Sequence, residues 1–257
     1  MSICIPTYNR APYLEALLEE LSRQIEEDGV DVADVAFYIA DNHSTDETPA
    51  VLERFKERGY RTEVVRNPAN LGINGNLLKI CRMARGRYWW LLGDDELVNQ
   101  RGLVHLLALV EREAPGLIIA FDTLFELKLK RRGRFEDYHD FARTCCEDHP
   151  AALTEHTLLS SNIFSAADYD HAAAEAYKDT YFPHMYGMLK PLIENGGAVV
   201  LPDFPLITTR KQRPPPADDQ GWINLDAYWA DYLKSLKDML SMPELDPHAP
   251  SRSARSD

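Results

Sequence analysis

Three consecutive acids, Asp94-Asp95-Glu96, follow the apolar run Trp89-Trp90-Leu91-Leu92 after a single glycine, Gly93. An apolar run of this length reads as a strand buried on both faces, so the acids stand at its carboxyl end. In an open parallel sheet that end faces the crevice where ligands bind. Clustered carboxylate oxygens suit a hard divalent cation, Mn²⁺ or Mg²⁺, and such a cation in turn holds phosphate oxygens. Taken alone, Gly-Asp-Asp-Glu is also an ordinary acidic turn. Three further segments weigh against the turn, because each brings polar side chains to the end of a separate strand.

The first is Pro6-Thr7-Tyr8-Asn9-Arg10, in which Pro6 is expected to stop the strand and Tyr8 offers a flat face for a base. The second is Asp41-Asn42-His43-Ser44-Thr45-Asp46, whose first acid can accept hydrogen bonds from a base or a ribose. The third is Arg66-Asn67-Pro68 with Asn70, Gly72, Asn74 and Asn76, where glycine permits close approach and amides can bond hydroxyls.

Alternating strand and helix patterns position these segments. Residues 2–5, 35–40, 61–65, 89–92 and 116–121 read as strands. Between them, Leu14, Leu17, Leu18, Leu21 and Ile25 recur at helical spacing, and residues 71–83 and 103–110 also read as helices. Asp46 is expected to cap a further helix that Gly59 ends. Such alternation predicts βαβ units and a parallel sheet. Residues 126–149, with Lys128, Lys130, Arg131, Arg132 and Arg134, are read as a solvated hairpin in preference to a lid over an anion. Helical patterns resume over 156–192, and short strands are expected at 198–201 and 206–209. Pro214-Pro215-Pro216 forces an extended connector. A terminal helix over 222–240 then presents Trp222, Leu225, Trp229, Tyr232, Leu236 and Leu240, a broad face expected to pack on its own domain.

Composition narrows the partners. A formal net charge of −13, from 41 acids and 28 bases, repels nucleic acid and anionic lipid, so no nucleic acid is expected. One nucleotide at a locally neutralised site is compatible with that total. No apolar run approaches the roughly 18 residues of a membrane span. Cys4, Cys81, Cys145 and Cys146 lack Cys-x-x-Cys spacing, which argues against a zinc knuckle and for a reducing compartment. Residues 1–6 read as a strand rather than a signal peptide. A cytoplasmic protein is expected, with peripheral contact at the inner face of the membrane and a homo-oligomer left open.

Together the four segments resemble the nucleotide-sugar half of a family 2 glycosyltransferase with the GT-A fold, closely over residues 2–121 and loosely over 155–210. The family's opening Pro-Thr-Tyr-Asn-Arg is matched by Pro6 to Arg10, and its Asp-Asp-Gly-Ser-Thr-Asp by Asp41 to Asp46, with Asn42 and His43 departing from it. Arg66, Asn67, Gly72 and Asn76 fall on its Arg-Asn, Gly and helix Asn. Its Asp-x-Asp-Asp metal motif aligns with Gly93 to Glu96, so Gly93 replaces the first acid. A Gly-Asp-Asp in this place resembles the abequosyltransferase-like branch, whose members decorate bacterial surface polysaccharides.

The resemblance implies an α/β fold, a Rossmann-like, mostly parallel sheet flanked by helices with a helical acceptor side towards the C-terminus. It divides the domain into a nucleotide-sugar-binding half (1–121) and an acceptor-side half (122–212), and composition adds a Pro-rich connector with a C-terminal helix (213–242) and a polar tail expected to be disordered (243–257). It implies inverting transfer, of the hexosyltransferase type, from a nucleoside diphosphate sugar to a saccharide or lipid-linked saccharide hydroxyl. Pro6, Thr7, Tyr8, Asn9, Arg10, Asp41, Arg66, Asn67, Gly72, Asn76 and Asp94 would bind the donor, and Asp95 with Glu96 would hold Mn²⁺ or Mg²⁺. The family's base is an Asp in a Glu-Asp pair, but the matching stretch, residues 179–187, has His184 with no acid beside it. His184 is therefore read as base or metal ligand, and Asp179 as the substitute base. Ser160, Ser161 and Asn162 fall where the family contacts sugar or acceptor, although isolated serines more often cap a helix. Two rivals remain: a sugar-1-phosphate nucleotidyltransferase, which would carry a Gly-rich basic loop in place of Pro6 to Asn9, and a non-catalytic nucleotide- or sugar-binding module.

Overall fold

Alternation in the first strand sorts its side chains into two cores. The computed structural model describes residues 1–120, 129–148, 153, 159–167, 169–180, 183–209 and 236–237. In β1 (Ser2–Thr7), Ile3 and Ile5 face one core with Phe37, Ile39 and Trp90, while Cys4 faces the other with Tyr38, Trp89 and Leu91. Side chains of a strand alternate with period two, so a strand apolar at every position must be covered on both faces.

The helices supply that cover. Leucines of α1 (Ala11–Glu27), α2 (Thr48–Lys56) and α4 (Gly102–Glu113) fill one face; α3 (Gly72–Met83), α5 (Tyr138–Asp148) and α7 (Pro183–Asn195) fill the other. The short α6 (His171–Ala176) packs beside α7. Leu14, Leu17 and Leu21 of α1 are fully buried at the expected spacing, and truncating one to Ala is expected to cost about 2–5 kcal/mol.

Among the described residues, eight strands form one sheet in the order β3-β2-β1-β4-β8-β6-β9-β7. β1 is parallel to both β2 (Ala36–Asp41) and β4 (Tyr88–Leu91), and β2 is parallel to β3 (Thr62–Arg66). The chain thus winds outward through β2 and β3, then returns to the opposite side of β1. That reversal makes the carboxyl ends of β1 and β4 the switch point of the sheet, the place where open α/β sheets bind ligands. On the far side, β8 (Asn162–Ser165) runs antiparallel between β4 and β6 (Leu117–Ile119). β9 (Val199–Leu201) follows parallel to β6, and β7 (Gly133–Phe135) closes the edge antiparallel to β9. A separate ribbon pairs β5 (Glu96–Val98) with β10 (Ile207–Thr209).

Several expectations need correction. Pro6 does not stop β1: it stands opposite Ala40, and the strand continues to Thr7. A proline removes only its own N–H from the ladder, a small loss one residue from the strand's end. The helix after Asp46 has Glu47 at its N-cap position. Asp46 instead serves two helices, accepting from Thr48 N at 3.0 Å and from Ala11 N at 3.0 Å. Residues 156–192 are not helical throughout, because β8 lies within them. Among the described residues of the basic stretch lie β7 and α5, and Lys130, Arg131 and Arg134 pair with Asp148, Asp140 and Glu113. Glu96 is the first residue of β5, a strand not expected.

Leu236 is fully buried in the core that holds Phe141 and Met185. The rest of the expected terminal helix, the Pro214-Pro215-Pro216 connector, the 243–257 tail and Lys128 lie outside the described residues. No helix among the described residues is long and apolar enough to cross a membrane.

Candidate active site

Because β1 and β4 are neighbours, the segments that leave them meet. Thr7 Oγ1 donates to Asp94 Oδ2 at 2.7 Å, and Arg10 Nη1 lies 3.1 Å from both Asp94 Oδ1 and Asp95 Oδ2. All three acids are buried: Asp94, Asp95 and Glu96 are 4%, 7% and 6% exposed. Burial pushes the Asp94 carboxyl up to about 6, against the pull of the Arg10 charge and the Thr7 hydrogen bond. One guanidinium bridges two buried carboxylates, so the pair retains negative charge and favours an added cation. Among the described residues no three His, Cys, Asp or Glu side chains converge as a metal cage. Mn²⁺ or Mg²⁺ fits such a donor set, since these ions take one or two carboxylates and complete their shell with phosphate and water.

The structure gives a steric reason for Gly93. A Cβ on Gly93 would come within 3.2 Å of Asp95 Oδ1 and 3.3 Å of Ser160 Oγ, both tighter than ordinary contact. Its N–H donates to Ser160 Oγ at 2.9 Å, and the Trp90 indole N–H donates to the Ser160 carbonyl at 2.9 Å. Ser160, in a 3₁₀ turn (Leu159–Ser161) that leads into β8, therefore braces the acid loop from the β8 side. Its position in the sequence, far from the acids, concealed that role.

At the ends of β1 and β2 the backbone is tied by polar side chains. Asn9 takes a left-handed conformation, φ +51°, which asparagine tolerates. Its N–H donates to Ser44 Oγ at 2.9 Å, and its side-chain oxygen accepts from Thr45 N at 2.7 Å. Tyr8 is half-buried beside it. The Asp41 side chain is 1% exposed, accepts from Ser44 N at 2.9 Å and lies 3.6 Å from Arg66 Nε. Arg66 lies half-exposed over it and donates to the Ser44 carbonyl at 2.7 Å.

An amide cluster secures the third segment. Asn67 donates to Asn42 Oδ1 at 3.1 Å and to Asn76 Oδ1 at 2.8 Å, while Asn76 donates to the Ala40 carbonyl at 2.9 Å. Asn42 donates to Asn70 Oδ1 at 2.7 Å and accepts from Leu71 N at 2.9 Å. Asn42, read only as a departure from the family pattern, is thus the hub joining β2 to the start of α3. Repeated asparagines at adjoining strand ends were the signal for it. Gly72 opens α3 at φ +71°, a conformation that favours glycine.

Asp179 and His184 occupy different environments. Asp179 is exposed in the turn after α6, and that turn is pinned to α3 by Asn74, which donates to the carbonyls of Lys178 at 2.9 Å and Thr180 at 2.7 Å. His184 sits in the first turn of α7 with no exposed surface, and burial lowers its pKa to about 3.

The sequence profile of Glycosyl transferase family 2 matches residues 2–149. Over 116 residues the chain is 34% identical to abequosyltransferase RfbV of Salmonella typhimurium, covering 44% of this chain and 33% of that protein. Over 99 residues it is 32% identical to an uncharacterized Mycobacterium tuberculosis protein, covering 38% and 28%. The chain thus spans about a third or less of the length of the curated relatives it matches. Among solved structures, residues 1–349 of S. aureus TarS in complex with UDP-GlcNAc superpose with a TM-score of 0.67 at 14% identity, over 93% of this chain and 65% of that one. Mannosyltransferase PcManGT from Pyrobaculum calidifontis, in complex with GDP-Man and Mn²⁺, superposes with a TM-score of 0.57 at 16% identity, over 97% and 65%. At such identities the likeness shows the fold, which is the mostly parallel, helix-flanked GT-A arrangement expected from the sequence.

Proposed function

The chain belongs to glycosyl transferase family 2, and from that premise we propose that it moves a sugar from a nucleoside diphosphate sugar to an acceptor hydroxyl with inversion. The observation that carries this reading is the buried Asp94–Asp95 pair at the switch point, bound by Thr7 and Arg10 from the neighbouring strand. The abequosyltransferase relative and the solved neighbours bound to UDP-GlcNAc and to GDP-Man support a nucleotide-sugar donor, and the neighbour with Mn²⁺ supports a divalent cation. Synthesis of a bacterial surface polysaccharide or glycoconjugate, with a saccharide or lipid-linked saccharide as acceptor, fits that relative best.

Asp95, with Asp94 or Glu96, would hold Mg²⁺ or Mn²⁺, which supplies positive charge to the departing diphosphate. The remaining roles fall to side chains. Tyr8 stacks on the base; Thr7, Asn9 and Arg66 line the nucleoside; Asp41 fixes Arg66 and Ser44; and Asn67, Gly72 and Asn76 shape the loop that approaches the donor. The acceptor hydroxyl attacks the anomeric carbon on the face opposite the diphosphate, and its proton passes to a base.

Asp179 suits that base better than His184. It is exposed on a loop tied to α3, whereas a buried imidazole with a pKa near 3 holds a proton poorly. The lowered pKa weighs against His184 as the base, whereas the neutral ring that it favours is the form that ligates a metal. Holding donor and acceptor together supplies the positioning that a bimolecular encounter in water lacks.

Asp95→Ala should lower sugar transfer by roughly a hundredfold or more while the protein melts near the wild-type temperature. Wild-type turnover in that folded variant would remove the metal assignment. Thermal shifts with UDP, dTDP, GDP and CDP, each with and without Mn²⁺, test donor binding directly.

A further inference from the structure

His43, at the carboxyl end of β2, has φ +70°. Non-glycine residues seldom take that conformation, histidine more often than most, and glycine would hold it without strain. Such conformations persist where the surroundings over-determine them, and they gather at functional sites. Here the ring is exposed, so packing does not explain it.

Its orientation is nevertheless fixed. His43 Nδ1 lies 3.1 Å from the Asn67 carbonyl oxygen. A carbonyl oxygen only accepts, so Nδ1 carries the hydrogen, and in that tautomer Nε2 presents a lone pair away from the anchor. Asn67 is itself held by Asn42 and Asn76, which makes the anchor firm. Beside His43 the Asp41 carboxylate is buried under Arg66, whose guanidinium is half-exposed and held on the Ser44 carbonyl. The groups left to meet a ligand at these two strand ends are thus an imidazole acceptor and a guanidinium donor.

Resting on the nucleotide-donor reading, we propose that His43 reads the base: Nε2 accepts a hydrogen bond from an amine or ring N–H on the base edge and sets which base the site prefers. The acid triplet handles the diphosphate, which every nucleotide donor shares. His43 acts on the part that differs.

The test uses calorimetric titration of the full chain with UDP, dTDP, GDP and CDP, each with Mn²⁺, and with inorganic pyrophosphate and Mn²⁺ as the probe without a base. His43→Gly and His43→Asn are compared with wild type, since both residues accept a left-handed backbone and should melt within a few degrees of it. The best-bound nucleotide should lose roughly tenfold in affinity, the scale of one hydrogen bond, and the spread among bases should narrow by the same factor. Pyrophosphate affinity should not change.

An unchanged spread in both variants overturns the proposal and leaves the donor reading intact. So does a wild type that binds all four nucleotides equally, or a matching loss of pyrophosphate affinity. Unfolding of both variants would assign the ring to holding the loop and overturn its role at the base. A wild type that binds none of the four nucleotides overturns the donor reading and this proposal with it.

Discussion

The first 120 residues and the described residues between 129 and 209 are built by different means. In the first region β1, β2 and β3 are parallel neighbours, and the short segment after each reaches the next through side chains, as Asn9 reaches Thr45 and Asn67 reaches Asn42. The second region meets the first through ties between distant parts of the chain: β8 pairs with β4 and β6, β10 pairs with β5, Ser160 sits under Gly93, and Asn74 holds the 178–180 turn. Its charged groups mostly pair at the surface, as in Arg131 with Asp140. Loops on adjacent parallel strands can thus be tied by local side-chain contacts, while the second region depends on pairing between segments distant in sequence.

That contrast can be broken at several points. Arg10→Ala should have the largest effect on stability, about 3 kcal/mol, because it leaves the buried Asp94 and Asp95 without their bridge, although the 30% exposure of Arg10 softens the loss. Denaturant melts would show it, and Mn²⁺ should raise the melting temperature of this variant more than that of wild type. Equal Mn²⁺ shifts would mean that the cation does not use this pair.

An acid titration probes the second region. The His184 imidazole has a folded pKa lowered to about 3 from an ordinary 6.5, so between these values the unfolded chain binds more protons. Stability should therefore fall as pH drops from about 6.5 towards 3, by up to about 1.4 kcal/mol per pH unit from this group. His184→Gln should flatten that part of the curve; an unaltered slope would show that the buried ring is not its source.

Asn74→Ala removes two hydrogen bonds between the regions and should cost about 1 kcal/mol. Its more telling effect is kinetic: a few-fold rise in KM for the acceptor with nucleotide affinity unchanged. A loss of nucleotide affinity instead would place the 178–180 turn on the donor side. Arg131→Ala, at an exposed ion pair that also covers Phe135, should change stability by no more than about 0.5 kcal/mol and transfer not at all.

Much of the first region was legible because its information is local. An apolar strand followed at once by polar residues is visible along the chain, and the strands after Met1, Val35, Arg61 and Arg87 were found within one or two residues. The strand Asn162–Ser165 was not. It is four residues long, with too little periodicity to separate it from the helical patterns around it, and its place depends on pairing with β4 and β6, both distant in sequence. β5 escaped for the same reason, since its partner β10 lies more than a hundred residues away.

The site divides along the same line. The sequence alone determined that Asp94, Asp95 and Glu96 end a buried strand and that Thr7, Asp41 and Arg66 end others, because side-chain type and strand period are written residue by residue. Tertiary structure decided what those ends do to one another. It placed Arg10 between two aspartates, left tight space for a side chain at Gly93, buried Asp41 beneath Arg66 and turned His43 outward on a left-handed backbone. Each of these outcomes rests on the order in which strands pair, and that order is set by long-range packing of the whole sheet rather than by any one segment.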